Sequence, residues 1–375
     1  MWDNDNNGTT ADHIVEFLSE NKFNAVRLPV MVSAILDNKK PNTKLINSQT
    51  NPTISVDSYL GLLQSIVSAL QFRKIGVLIS MHTLTADTAG KVWFQSGVLT
   101  EKEFLGAIDT LTSKLCTEDY WNILGIDIKN EPFGATWGDG SDTDFRDGAQ
   151  RIANRMFKGC DRWMGFVEGI NGRHSLTVNG DTFEYGDWYG GGLQGAKKAP
   201  VEFTVEDKLV WAPHYYTPAV YPQPYLYKSS TAGDDGVLTK YVELDDDTLF
   251  ARVESTMKDM FGFLASSSSP ALVLGEFGGL YAEDKHPKKT AKRCTDYTIK
   301  VMTSTEGYAG GFVWSLNPES LYAYNPADTK GSFYEGLVDL TWMRANDEYL
   351  EALSAMDSMP NLAPLPCFKR NATKN

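Results

Sequence analysis

The amino-acid sequence predicts an α/β fold, a (β/α)8 barrel that lacks its first N-terminal strand. Three observations lead there. Seven short apolar runs alternate with stretches of helical periodicity along the chain. Those runs finish on polar or aromatic side chains, and in a β/α barrel the carboxyl ends of the strands form the active-site face. No Ser/Gly-rich linker, repeat or shift of composition divides the 375 residues, so 1–375 reads as a single domain.

The elements follow in order. Ala11 to Glu20 has helical spacing, with Ile14, Val15 and Leu18 on one side and Thr9 or Thr10 as cap. Phe23 to Pro29 is the first visible strand. Tyr59 to Phe72 is an amphipathic helix, and Ile75 to His82 the next strand. Phe104 to Leu115 is helical and leads into Ile126-Asp127-Ile128-Lys129-Asn130-Glu131-Pro132, an alternating run stopped by proline. A helix over Asp147–Phe157 precedes the strand Met164–Glu168. Leu209 to Tyr216 is a strand and Thr248 to Leu264 a helix. Ala271 to Glu276 is short and apolar enough for a buried parallel strand, and the glycines after it allow a sharp turn. Thr290 to Thr303 is helical before the last strand, Gly310–Leu316. The absent strand is expected upstream of Met1, because Trp2 to Asn6 has no strand character and a gap would expose unpaired edges. A closed seven-strand arrangement or a substitute strand from elsewhere is the alternative.

A net charge of -13 argues against nucleic acid or an anionic membrane as partner, and leaves neutral polymers open. No apolar stretch approaches the roughly 20 residues of a membrane span, and no signal-peptide pattern begins at Met1. Cys116, Cys160, Cys294 and Cys367 show no CxxC spacing, and free thiols and two disulfides are equally compatible with them. Asn7-Gly8-Thr9 and Asn371-Ala372-Thr373 are glycosylation sequons. Asp245-Asp246-Asp247 reads as a solvated loop or helix start, since the spacing and glycine of an EF-hand are absent.

Two strands end in glutamate, at Glu131 and Glu276. Hydrolysis of a glycoside through a covalent intermediate needs two carboxylates roughly 5 Å apart, one to protonate the leaving oxygen and one to attack the anomeric carbon. Arg27, His82, Asn130, His214, Tyr216 and Trp314 sit at the same ends of these and other strands. Each alone has a structural explanation, an ion pair or core packing, but eight such residues on six of the seven strands converge on one bowl. Trp93, Trp137 and Trp188 follow strands on that side and are candidate sugar platforms, whereas Trp121 and Trp163 precede their strands and belong to packing. Two histidines without a third matched ligand are weak evidence for zinc, so no metal or cofactor is expected.

In these residues the chain resembles glycoside hydrolase family 5, the cellulase family. The motifs are Val26-Arg27-Leu28-Pro29, Asn130-Glu131-Pro132, Phe166-Val167-Glu168-Gly169, the run WYGGGLQG from Trp188 to Gly195, His214-Tyr215-Tyr216, Leu274-Gly275-Glu276-Phe277-Gly278 and Trp314-Ser315-Leu316-Asn317-Pro318. The resemblance implies a single, N-terminally incomplete catalytic domain over 1–375, a monomer, secreted to the extracellular space and acting on a polysaccharide. It implies Glu131 as general acid/base, Glu276 as nucleophile, Arg27, His82, Asn130, His214 and Tyr216 as active-site support, and Trp314 against the sugar ring. The expected activity is a retaining endo-β-1,4-glucanase. A β-mannanase, xyloglucanase or β-1,3-glucanase shares the catalytic pair, and a non-catalytic glucan-binding protein is the reading from another class.

Overall fold

The computed structural model describes residues 9–266 and 270–359. Its first half runs α1 (Ala11–Glu20), β1 (Ala25–Met31), α2 (Val32–Asp37), α3 (Tyr59–Phe72), β2 (Gly76–Thr83), α4 (Glu101–Leu115), β3 (Ile123–Asp127), α5 (Phe145–Gly159) and β4 (Met164–Val167). The hairpin β5 (Arg173–Val178) and β6 (Asp181–Gly186) follows, then β7 (Leu209–Trp211) and β8 (His214–Tyr216). A second hairpin, β9 (Tyr227–Ala232) and β10 (Leu238–Glu243), leads into α6 (Asp246–Met260), β11 (Ala271–Gly278), α7 (Thr290–Ser304) and β12 (Tyr308–Val313). A third hairpin, β13 (Leu321–Tyr324) and β14 (Lys330–Tyr334), and α8 (Asp347–Leu353) complete it.

Strands β1-β2-β3-β4-β7-β11-β12 form one parallel sheet in that order, the predicted alternation of strands and covering helices. Leu78, Phe166, Val210 and Ala212 form a small apolar cluster with Leu124, Met164, Val273 and Phe312, all strand residues but Ala212, which directly follows β7. The helices bury their apolar stripes on the sheet's outer face; α4, for example, covers it with Phe104, Ala107, Ile108 and Leu111. Local signals set the helix starts. Thr10 accepts from the His13 N–H, Thr100 and Glu103 make a capping box for α4, and Asp245 caps α6 as the acidic run predicts.

The strand predicted over 209–216 is divided. β7 pairs with β4 and β11, β8 pairs only with β11, and Pro213, which has no N–H to donate, lies between them. The last barrel strand covers 308–313 instead of 310–316, and α6 stops at Met260 before a 3-10 turn over Gly262–Leu264. The first residues, including the Trp2–Asn6 segment, lie outside the described region, as do Asn7, Asn371 and Cys367.

Among the described residues no strand pairs with the outer edge of β1 or of β12. Between those strands, under α1 and α3, runs a cavity of about 710 Å³ lined by Val15, Leu18, Val26, Leu28, Phe312 and Val313, and it reaches Arg27, Glu276 and Trp314. A second cavity of about 500 Å³ opens at the amino ends of the strands. This seam is where an additional strand would complete the (β/α)8 ring.

Cys116 and Cys160 form a disulfide with Cα atoms 5.9 Å apart. They are the C-caps of α4 and α5, so the bond ties two neighbouring helices at one end. Cys294 is a buried free thiol.

Candidate active site

β3 gives way to an extended segment ending at Asn130, and the chain turns at Glu131, whose φ of 45° lies in the left-handed region. A non-glycine residue there costs on the order of 1–3 kcal/mol and persists only where its surroundings fix it. The fixing contact is visible: the Glu131 N–H donates to Glu168 Oε2 at 2.7 Å. Glu276 sits inside β11 opposite His214 of β8, and the parallel register puts Tyr216 two residues further along beside Gly278.

The two glutamates face each other. Single donor atoms of Glu131, His214 and Glu276 all lie within 4.8 Å of one another. His214 Nδ1 is 3.1 Å from Glu131 Oε1 and 3.6 Å from Glu276 Oε2. Arg27 pairs with Glu276 through Nη1, and its Nη2 donates to Asn130 Oδ1 at 2.7 Å and to Glu168 Oε1 at 3.1 Å. Its Nε donates to Asp127 Oδ2 at 2.9 Å, where Ser80 Oγ also donates. The Tyr216 hydroxyl donates to Glu276 Oε2. These are buried charges: the Arg27 side chain is 4% exposed and those of Asp127 and Glu168 are 0% exposed.

Burial by itself would raise the Glu276 carboxyl, but the charges of His214 and Arg27 and the Tyr216 hydroxyl outweigh it and hold the group down to about 2. Glu276 is therefore an anion at any working pH. Burial opposes charge on His214 as well, yet Glu168, Glu276 and Glu131 raise it well above its ordinary value, so it is cationic. Burial pushes His82 down to about 4, leaving it neutral at working pH, and its ring stacks on Trp314 at 5.6 Å and 7°. Burial and then Asp127 push the Glu168 carboxyl up, against the pull of His214 and Arg27, while the Glu131 N–H and Arg27 Nη2 donate to its two oxygens as they would to a carboxylate. Lys129, also buried, is lowered to about 8 by desolvation.

All eight strand-end residues singled out in the sequence thus lie in one bowl. The tryptophan platforms need correction. Trp93 is fully buried between Phe94 and Phe145, with the Arg151 guanidinium over its ring. Trp188 is buried with its edge to Tyr215 and Tyr216, supporting the strand that carries Tyr216. Trp137 is half-buried, packed on Phe145 and Trp211, and its indole N–H is committed to the Ala199 carbonyl at 2.9 Å. Neither Trp93 nor Trp188 can offer a face to a sugar. Beside the sequence motifs, partly exposed aromatic surface is offered instead by the stacked pair Phe133 and Tyr189, rings 4.7 Å apart, with Tyr189 47% exposed. Phe133 follows Glu131 by two residues and Tyr189 follows Trp188, so both stood beside recognised motifs. Sequence reading also missed Asp127 and Glu168, although a charged residue inside an apolar strand signals a buried partner.

Glu131, His214 and Glu276 are also the one set among the described residues whose donor atoms converge closely enough for a metal ion. Arg27, ion-paired to the same Glu276, repels a cation there. What the arrangement suits is a pair of carboxylates with one held ionised.

The model of Cellulase (glycosyl hydrolase family 5) matches residues 1–320. The chain belongs to glycosyl hydrolase family 5. The major extracellular endoglucanase of Xanthomonas campestris pv. campestris is 30% identical over 300 residues, covering 80% of this chain and 55% of that protein. An endoglucanase of Paenibacillus polymyxa is 24% identical over 344 residues, 90% of this chain and 75% of that one. This chain therefore spans little more than half the length of the Xanthomonas protein. Among solved structures, the catalytic domain of the Xanthomonas enzyme superposes with a TM-score of 0.73 at 25% identity, covering 93% of this chain and 88% of that one. A cellotetraose complex of an endocellulase from Pyrococcus horikoshii gives 0.73 at 24% identity over 94% and 87%. Among the described residues no helix is long and apolar enough to cross a membrane.

Proposed function

We propose that this protein is a secreted, retaining endo-β-glycanase that hydrolyses β-1,4-glucan, cellulose or a related glucan. Glu276 is the nucleophile and Glu131 the general acid/base. The observation that carries the reading is the approach of the two carboxylates, with oxygens within 4.8 Å. Retaining enzymes hold the pair about 5–5.5 Å apart, whereas inverting ones leave about 6.5–9.5 Å for a water.

Glu276 attacks the anomeric carbon while Glu131 protonates the departing oxygen. Formation of the glycosyl ester neutralises Glu276, and Glu131, now a carboxylate beside cationic His214, takes a proton from the incoming water. Asn130 Oδ1 is occupied by Arg27, which leaves the amide N–H2 to donate to the sugar 2-hydroxyl. Trp314, backed by His82, and the Phe133–Tyr189 pair supply aromatic faces for sugar rings along an open groove. The glucan and the extracellular setting are supported by the naming of the Xanthomonas relative.

The test is reducing-sugar release from carboxymethylcellulose, mannan, xyloglucan and laminarin, with the wild type and Glu276→Gln. Release from carboxymethylcellulose should fall about 10⁴-fold or more in the variant, ~5 kcal/mol of barrel-held transition-state stabilisation. Equal release by the two proteins overturns the catalytic assignment, and release from mannan alone overturns the glucan.

A further inference from the structure

Glu168 has no part in the two-carboxylate chemistry, yet three other residues of the bowl share it. It directly follows β4, is completely buried, and meets two donors and the His214 ring on three other segments. Oε2 accepts the Glu131 N–H at 2.7 Å, while Oε1 lies 3.1 Å from His214 Nε2 and 3.1 Å from Arg27 Nη2. His214 in turn places Nδ1 3.1 Å from Glu131 Oε1. Glu168, His214 and Glu131 therefore close a triangle in which Glu131 is held at both ends, by its backbone directly and by its carboxylate through the imidazole.

The chain keeps space for this triangle. Gly190, in the WYGGGLQG run, has φ +77°, and a Cβ there would lie 2.4 Å from Glu168 Oε2 and 3.1 Å from His214 Cγ. The Gly169 N–H donates to the Gly190 carbonyl at 2.6 Å, so the glycine loop is pinned to the residue after Glu168. The run is glycine-rich where it crosses the back of Glu168 because only a residue without a side chain fits there.

We propose that Glu168 is a positioning residue for the general acid/base: through the Glu131 backbone and through His214 it holds the Glu131 carboxyl in the orientation that delivers its proton to the leaving oxygen. A carboxylate is needed because it accepts on both oxygens. The amide of a glutamine accepts on one only and turns N–H2 toward either Glu131 N–H or His214 and Arg27. The inference rests on Glu131 being the acid/base.

The test uses two aryl β-cellobiosides, one with the good leaving group 2,4-dinitrophenolate, which needs no protonation, and one with the poorer 4-methylumbelliferone. In Glu168→Gln, kcat on the poorer leaving group should fall ~10²-fold with KM little changed, the scale of lost general acid catalysis. Glycosylation by the dinitrophenyl substrate, read as the initial burst of phenolate, should slow less than about 5-fold, a contrast that relies on the same reasoning about acid assistance. Gly190→Ala, which crowds the same oxygen, should give the same pattern and carries the test if Glu168→Gln does not fold. An equal loss on both substrates, or none, overturns the proposal. Glu131→Gln run in parallel separates the two readings. If it shows no leaving-group dependence, the acid/base assignment fails; if it does and Glu168→Gln does not, only the role of Glu168 fails.

Discussion

Strand β2 and the two strands at the seam are the same kind of element in different company. Gly76 to Met81 of β2, flanked by β1 and β3, are buried without exception, while most of β1 and β12 is half-buried. Pro29 in β1 is exposed, and a proline is tolerated where a strand edge goes unpaired. The chemistry divides along the same line. On the continuous side, β3, the residue after β4, β8 and β11 supply Asp127, Glu168, His214 and Glu276, with His214 3.1 Å from Glu168 and 3.6 Å from Glu276. From the seam side come Arg27 and, just past β12, Trp314. The difference teaches that the continuous side supplies the anions together with the His214 cation, while the guanidinium that bridges Asp127, Glu168 and Glu276 enters from the least supported strand.

The largest way to break this arrangement is Arg27→Met, which leaves Asp127, Glu168 and Glu276 buried without their shared partner. Loss of one member of a buried pair costs about 3–5 kcal/mol, measured by urea unfolding at pH 7. The sign of its pH dependence follows from Glu276, whose carboxyl is depressed from 4.5 to about 2 in the fold. Its ionised form stabilises the protein above the ordinary value, and that contribution is lost as pH falls toward about 2. The gap between wild type and Arg27→Met should therefore narrow in acid. A constant gap from pH 7 to 3 argues against the pairing.

On the continuous side, replacing both Cys116 and Cys160 by serine removes a bond spanning 44 residues. The expected cost is about 2–4 kcal/mol, read as a lowered Tm that reductant no longer changes. The smallest effect belongs to the seam. Phe104→Ala, at a fully buried α4 site on the continuous side, should cost about 3–5 kcal/mol, and Phe312→Ala beside the cavity only about 1 kcal/mol. Equal costs for the two would mean that the seam packs as tightly as the interior.

Much of this was legible in the sequence because barrel strands advertise themselves. A short apolar run ending in Asn-Glu-Pro or Gly-Glu-Phe fixes both the strand and the direction in which its last side chains project. The three hairpins outside the sheet were missed, although Asn179-Gly180, with φ of 53° and 85°, is a strong two-residue turn signal. Their burial alternates over only a few residues and was overshadowed by the longer helical periods. Trp93 and Trp188 were misplaced for a different reason. Sequence order says which end of the barrel a loop occupies, but whether an indole faces groove or core depends on neighbours such as Gly148, whose missing Cβ leaves room for the Trp93 ring. Glu168 was quoted within a motif yet given no role, since its three partners lie on β1, the Glu131 turn and β8.

The bond between Cys116 and Cys160 also has a topological side. It makes residues 116 to 160 a covalent ring, and the strand leading to Glu131 lies within that ring. The exposed stretch Gly138–Asp142 belongs to the same ring. A protease that nicks the chain there opens the loop without releasing a fragment: the amino-terminal piece with Arg27 and Glu131 stays tethered to the carboxyl-terminal piece with His214 and Glu276. One cut in this exposed loop leaves all four residues in a single covalent molecule.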